Sequence, residues 1–120
     1  MRKILVVDDD PLVRKSVEKV LTHEGYASDF AKNAYEALIK VGEQEFDLII
    51  SDIRMPGKNG VEAVREIRRR FKEKLARDIP IIFITGYAEL IDELSAEVHG
   101  EVILKPFDLD HLLITIREYL

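Results

Sequence analysis

A chain of 120 residues can close one hydrophobic core but not two, so a single domain over 1–120 is expected, with no output domain inside it. Hydrophobic residues at 47%, charged residues at 34% and a formal net charge of −5 describe a globular chain, exclude a disordered one and argue against nucleic acid as a direct partner. Cysteine is absent, which excludes disulfides, thiolate metal sites and cysteine nucleophiles, and no apolar run is long enough to span a membrane; a cytoplasmic location without a membrane partner is the expectation.

The first apolar run, Lys3 to Val7, reads as a strand, and it meets Asp8, Asp9 and Asp10 too soon to act as a secretion signal. Pro11 suits the first turn of a helix whose inner face would hold Leu12, Val13, Val17, Val20 and Leu21, with Gly25 as its stop. Ala27 to Phe30 is a second strand. Asn33 and Glu36 then form a capping box ahead of a helix that buries Ala37, Leu38 and Val41 and ends near Gly42. Leu48 to Ser51 is a third strand, closed by Asp52 and a turn rich in proline and glycine.

A third helix turns Val61, Val64, Ile67 and Phe71 inward and runs long, into RRRFKEKLARD, as a solvated face with local ion pairs such as Glu66 with Arg70. The fourth strand, Ile81 to Ile84, ends in Thr85 and Gly86, and a fourth helix is expected over roughly Leu90 to Glu97, with EVHGEV making this region irregular. Val102 to Leu104 is the fifth strand, stopped by Lys105 and Pro106, the latter permitting a cis peptide. A last helix follows the N-cap Asp108 and packs Leu109, Leu112, Leu113, Ile116 and Leu120. It ends where the chain does, which suits a stand-alone regulator and an excised domain alike. Strands alternating with helices imply an α/β fold, a (βα)5 three-layer sandwich around a five-stranded parallel sheet.

In such a sheet the carboxyl ends of the strands share one edge, where ligands bind. That edge would gather Asp8, Asp9, Asp52, Thr85 and Lys105 from four strands. Each has an ordinary role as well: an acid after the first strand can cap the helix at Pro11, Asp52 can form a turn, and Thr85 suits a strand for its β-branching. Together they are harder to explain by packing. Like charges on one edge cost stability unless a cation offsets them, and carboxylate oxygens suit Mg2+. Asp52 could then accept a phosphoryl group, Thr85 could donate to a phosphoryl oxygen, and Lys105, ending an apolar run, requires a carboxylate nearby.

ILVVDDDPLVR, DLIISDIRMPGKNG, PIIFITG and ILKPF, in this order and spacing, resemble the receiver domain of two-component response regulators, of the chemotaxis-regulator-like kind, along essentially the whole chain. The resemblance implies a flavodoxin-like sheet of order 2-1-3-4-5, Asp8 and Asp9 as the acidic metal pair, Asp52 as phosphoacceptor, the Arg54 backbone carbonyl as a further Mg2+ ligand, Thr85 as switch hydroxyl and Lys105 as partner of the phosphoryl group. Asp10 matches the position after the pair. The implied partners are a sensor histidine kinase or phosphotransfer protein, and a downstream protein or output domain outside this chain.

Val102 stands where many receivers carry Tyr or Phe, so signalling is expected to rely on the loop after Thr85. Bulky Arg54 and Tyr87 flank the path of attacking water in this family, which implies slow loss of phosphate. His23, His99 and His111 show no metal-ligand spacing. Two other readings remain. ILVVDDD also resembles the opening D-x-D of haloacid-dehalogenase-type phosphatases, with Asp8 as nucleophile, although the later acidic motif would have to come from Asp108 or Asp110. A pseudo-receiver that never takes phosphate is the third.

Overall fold

The apolar runs become five parallel strands: β1 (Lys3–Val7), β2 (Ala27–Ala31), β3 (Leu48–Ile53), β4 (Ile81–Thr85) and β5 (Val102–Leu104), hydrogen-bonded in the order β2-β1-β3-β4-β5. Four helices are described with them in this computed structural model: α1 (Pro11–His23), α2 (Ala34–Glu43), α3 (Gly57–Lys74) and α4 (Leu109–Tyr119). The structure describes residues 1–53, 57–75, 79–86, 96 and 101–120. The helix expected over Leu90 to Glu97 lies outside them save for Ala96, as do Arg54, Tyr87 and His99.

The inner strands β1, β3 and β4 are mostly apolar because both faces of the sheet are covered, whereas the edge strand β2 carries Ser28 and Asp29. Side chains alternate between faces, so Ile4, Val6, Leu48, Ile50, Ile82 and Ile84 join Val17 and Leu21 of α1 and Leu112 and Ile116 of α4 in one cluster. Their neighbours Leu5, Val7 and Ile49 pack with Ala37 and Val41 of α2 and Phe71 of α3, and Phe83 packs with Ile53 and Val64.

The ends of α1 follow from the local sequence. Asp10 is extended (φ −84°, ψ 112°), and its side chain accepts from Leu12 N–H at 2.9 Å. At the other end Gly25 takes φ +86°, and Gly25 N–H donates to the Thr22 carbonyl while Tyr26 N–H donates to that of Leu21, the paired bonds that close a helix through a left-handed residue. One expectation fails here. Leu12 is 75% exposed rather than inward. It lies nine residues before the fully buried Leu21, which is two and a half helical turns and so the opposite face.

The capping box of α2 forms, with Glu36 N–H donating to Asn33 Oδ1 at 2.9 Å, but the Glu36 carboxylate reaches back to Lys32 N–H rather than to Asn33 N–H. The expected ion pair on α3 also forms, with Arg70 Nε 2.7 Å from Glu66 Oε1, and Arg69 shares that oxygen at 2.6 Å while also reaching Glu73 at 2.8 Å. Of the residues expected inward on α3, Val64 and Phe71 are buried and Ile67 packs against them. The Val61 side chain lies outside what is described.

A polar brace that no sequence motif announces joins β2 to α2. Asp29 accepts from Lys40 Nζ at 2.7 Å and from Gln44 Nε2 at 2.8 Å, and Gln44 Oε1 in turn accepts from Lys3 Nζ. Burial alone would raise the Asp29 carboxyl, but the Lys40, Phe30 and Gln44 donors outweigh it and hold it below the ordinary carboxylate range. A folded-state pKa below the unfolded one contributes stability above the unfolded value, and that contribution is lost as pH falls through the folded value. Asp29→Asn should therefore cost about 1 kcal/mol near neutral pH. The deficit against the native protein should shrink as the pH drops below about 4. Urea denaturation of both proteins across that range checks this, and a pH-independent gap would contradict it.

Candidate functional site

The strand ends converge as the order β2-β1-β3-β4-β5 requires. Val7 is in register with Ser51, so the next residues, Asp8 and Asp52, lie level across neighbouring strands spaced about 4.8 Å apart. The third strand runs two residues beyond Ser51, where the sequence pattern closes it, so Asp52 lies within the strand and its alternative role of forming a turn does not apply. β3 continues through Ile53, because Asp52 and Ile53 pair with Ile84 and Thr85 of β4. Aspartate is depleted in strands, so residue type alone closes the strand at the acid while the ladder to β4 carries it on. For the chemistry the longer strand matters: the phosphoacceptor candidate stands on a rigid ladder.

Carboxylate oxygens of Asp8, Asp9 and Asp52 all lie within 4.8 Å of one another. Asp8 is buried, the Asp52 side chain is only 3% exposed, and Asp9 is exposed. Into this group reaches Lys105, its Nζ 2.9 Å from Asp52 Oδ2. The carboxylate that the sequence demanded for this lysine is thus Asp52. Among the described residues the group holds three carboxylates and the Lys105 ammonium, and an oxygen-only donor set of this size fits a hard divalent cation such as Mg2+.

Thr85 is fully buried at the end of β4. Its carbonyl accepts from Lys105 N–H at 2.7 Å, so the hydroxyl-bearing residue and the cationic arm are joined through the main chain. The Lys105–Pro106 peptide is cis, as Pro106 permits. Val102 pairs with Phe83 and is half-buried against the cluster of Ile53, Val64 and Phe83. Asp10 does not join the acidic group; its carboxylate caps α1. Asp108 is likewise occupied, accepting from Asp110 N–H at 2.9 Å as the N-cap of α4. Arg54, expected to offer a backbone carbonyl, lies outside the described residues. Two further bonds shape the pocket without a motif to announce them: Lys105 N–H donates to the Thr85 carbonyl, a main-chain bond that any residue type could supply, and Asp10 N–H donates to the Asp8 carboxylate.

The response regulator receiver domain profile matches residues 4–117. The chain belongs to this family. It is 35% identical to the response regulator ArlR of Staphylococcus epidermidis and to that of Staphylococcus aureus, covering 100% of this chain but 53% of theirs, so it spans about half the length of the curated relatives it matches. Among solved structures it is similar to the response regulator TrrA of Thermotoga maritima in complex with Mg2+ and beryllium fluoride, at 38% identity and a TM-score of 0.78 with both chains fully covered. A structure of TrrA in complex with the histidine kinase ThkA matches at 39% identity and a TM-score of 0.77, covering 100% of this chain and 99% of that one. The chemotaxis protein CheY4 of Vibrio cholerae matches at 32% identity and a TM-score of 0.76, again with 100% and 99% coverage. The receiver domain's flavodoxin-like order, 2-1-3-4-5, is the order found here. Among the described residues, no helix is long and apolar enough to cross a membrane.

Proposed function

We propose that this receiver domain is a phosphorylation-controlled switch of a cytoplasmic two-component pathway, with Asp52 as the residue that carries the phosphoryl group. The observation that carries the reading is the buried Asp52 carboxylate, 2.9 Å from Lys105 and grouped with Asp8 and Asp9. A carboxylate oxygen of Asp52 attacks the phosphorus of a phosphohistidine on a sensor histidine kinase or phosphotransfer protein. The N–P bond breaks, and its electron pair stays on the imidazole nitrogen, which takes up a proton. Asp8, Asp9, Asp52 and the Arg54 carbonyl would hold the Mg2+, which when bound neutralises charge on the phosphoryl oxygens.

Lys105 moves from the carboxylate to a phosphoryl oxygen, and the Thr85 hydroxyl donates to another. Because Lys105 N–H is bonded to the Thr85 carbonyl, both shifts act on the ends of β4 and β5 together. The product is a population shift on the partner-binding surface, read by a downstream protein or an output domain outside these 120 residues. Catalysis is confined to the chain's own phosphorylation and dephosphorylation.

Treatment with acetyl phosphate and Mg2+, borohydride reduction of the acyl phosphate and peptide mapping should place the modification on Asp52. Modification of Asp8 would favour the haloacid-dehalogenase-type phosphatase, and no modification would favour a pseudo-receiver. The capping role of Asp108 already weighs against the phosphatase, which needs a further acid in the pocket.

A further inference from the structure

Resting on the metal-dependent switch proposed above, we infer that Asp10 is a positioning residue for the cation: its carboxylate is committed to the first turn of α1, and its main-chain N–H aims the carboxylate of Asp8. Asp10 is fixed on the helix side at two points. Its Oδ1 accepts from Leu12 N–H at 2.9 Å, and its carbonyl accepts from Arg14 N–H at 3.0 Å. On the pocket side, Asp10 N–H donates to Asp8 Oδ1 at 2.9 Å. Asp8 is anchored in turn, its own N–H donating 2.9 Å to the Ala31 carbonyl at the end of β2.

The chain of contacts therefore runs from a helix cap, through one rigid residue, to one oxygen of a buried metal-ligand candidate. The group of acids whose oxygens lie within 4.8 Å of one another comprises Asp8, Asp9 and Asp52 and leaves Asp10 out, although Asp10 is the third acid of an unbroken run. An N–H bonded to a charged carboxylate is among the stronger hydrogen bonds, and it restricts how the Asp8 carboxylate can rotate. Partners of this kind orient metal ligands, and disturbing them weakens affinity by about 10-fold to 100-fold. If the cap is removed, the first turn of α1 loosens and Asp10 N–H drifts from Asp8.

Calorimetric titration of the folded chain with Mg2+ alone separates the roles. Asp10→Asn keeps a side-chain oxygen for the cap while removing the charge, and Asp10→Ala removes both. The positioning role predicts that the Asn variant stays within about 3-fold of the native affinity, because asparagine caps as well as aspartate. The Ala variant should lose about 10-fold. In nitrogen-15 NMR spectra of the native chain, the Asp10 amide should lie downfield and respond to Mg2+, a signature that the Asn variant keeps and the Ala variant loses. Equal losses in both variants would make the Asp10 charge itself the contributor and overturn the inference, as would unchanged affinity in the Ala variant. Failure of the native chain to bind Mg2+ at all would instead sink the switch on which the inference rests.

Discussion

Asp52→Asn is expected to abolish formation of the acyl phosphate while leaving the fold intact. The amide is a poor nucleophile and cannot form the mixed anhydride, and Asp8 and Asp9 do not occupy the ladder position opposite Ile84 that Asp52 holds. Stability should change little. The substitution deprives Lys105 of its partner, but that side chain is 27% exposed and can turn to water, and it also relieves repulsion from two neighbouring carboxylates. Mass spectrometry after acetyl phosphate treatment reads the first effect, and urea denaturation the second, with a change of less than about 1 kcal/mol expected. A variant that still gains a phosphoryl group would refute the assignment of Asp52.

Much of this pocket could be read from residue type, and the reasons are local. Lys105 at the end of an apolar run announces a buried counter-charge, and the structure supplies Asp52 at 2.9 Å. The acids after β1 and the acid in β3 come together because the parallel sheet puts every carboxyl end on one edge, a consequence of topology rather than of any single residue. Legibility fails where the deciding contact is backbone or tertiary. Leu12 looks like a core residue by type, yet the helical angle turns it to solvent. Asp8, Asp9 and Asp10 are alike by type, so a cap for the helix at Pro11 is legible among them, yet only the folded geometry assigns it to Asp10. Asp29 reads as an ordinary polar position of a strand, and only the approach of α2 brings Lys40 and Gln44 to it.

Lys105→Met should expose how strongly the pocket's charge depends on the Lys105 ammonium. Methionine keeps much of the stem's length and removes the charge, leaving a 3% exposed Asp52 carboxylate beside those of Asp8 and Asp9. Breaking a buried pair in this way costs about 3–5 kcal/mol. The partial exposure of Lys105 lowers the expectation to roughly 2–3 kcal/mol in metal-free buffer. Magnesium should then recover much of the loss. A ligand bound only by the folded state adds about 2.7 kcal/mol at a hundred times its dissociation constant. A pocket stripped of its ammonium attracts a dication more strongly than the native one, so Mg2+ should stabilise the variant by more than it stabilises the native chain. Combining Lys105→Met with Asp52→Asn should also restore stability, since the Asp52 charge is gone, and the non-additivity would measure the pair directly. Denaturation of the four proteins with and without Mg2+ gives every term. If Lys105→Met loses stability that neither the metal nor the second substitution returns, its cost comes from packing, and the electrostatic account of this edge of the sheet is wrong.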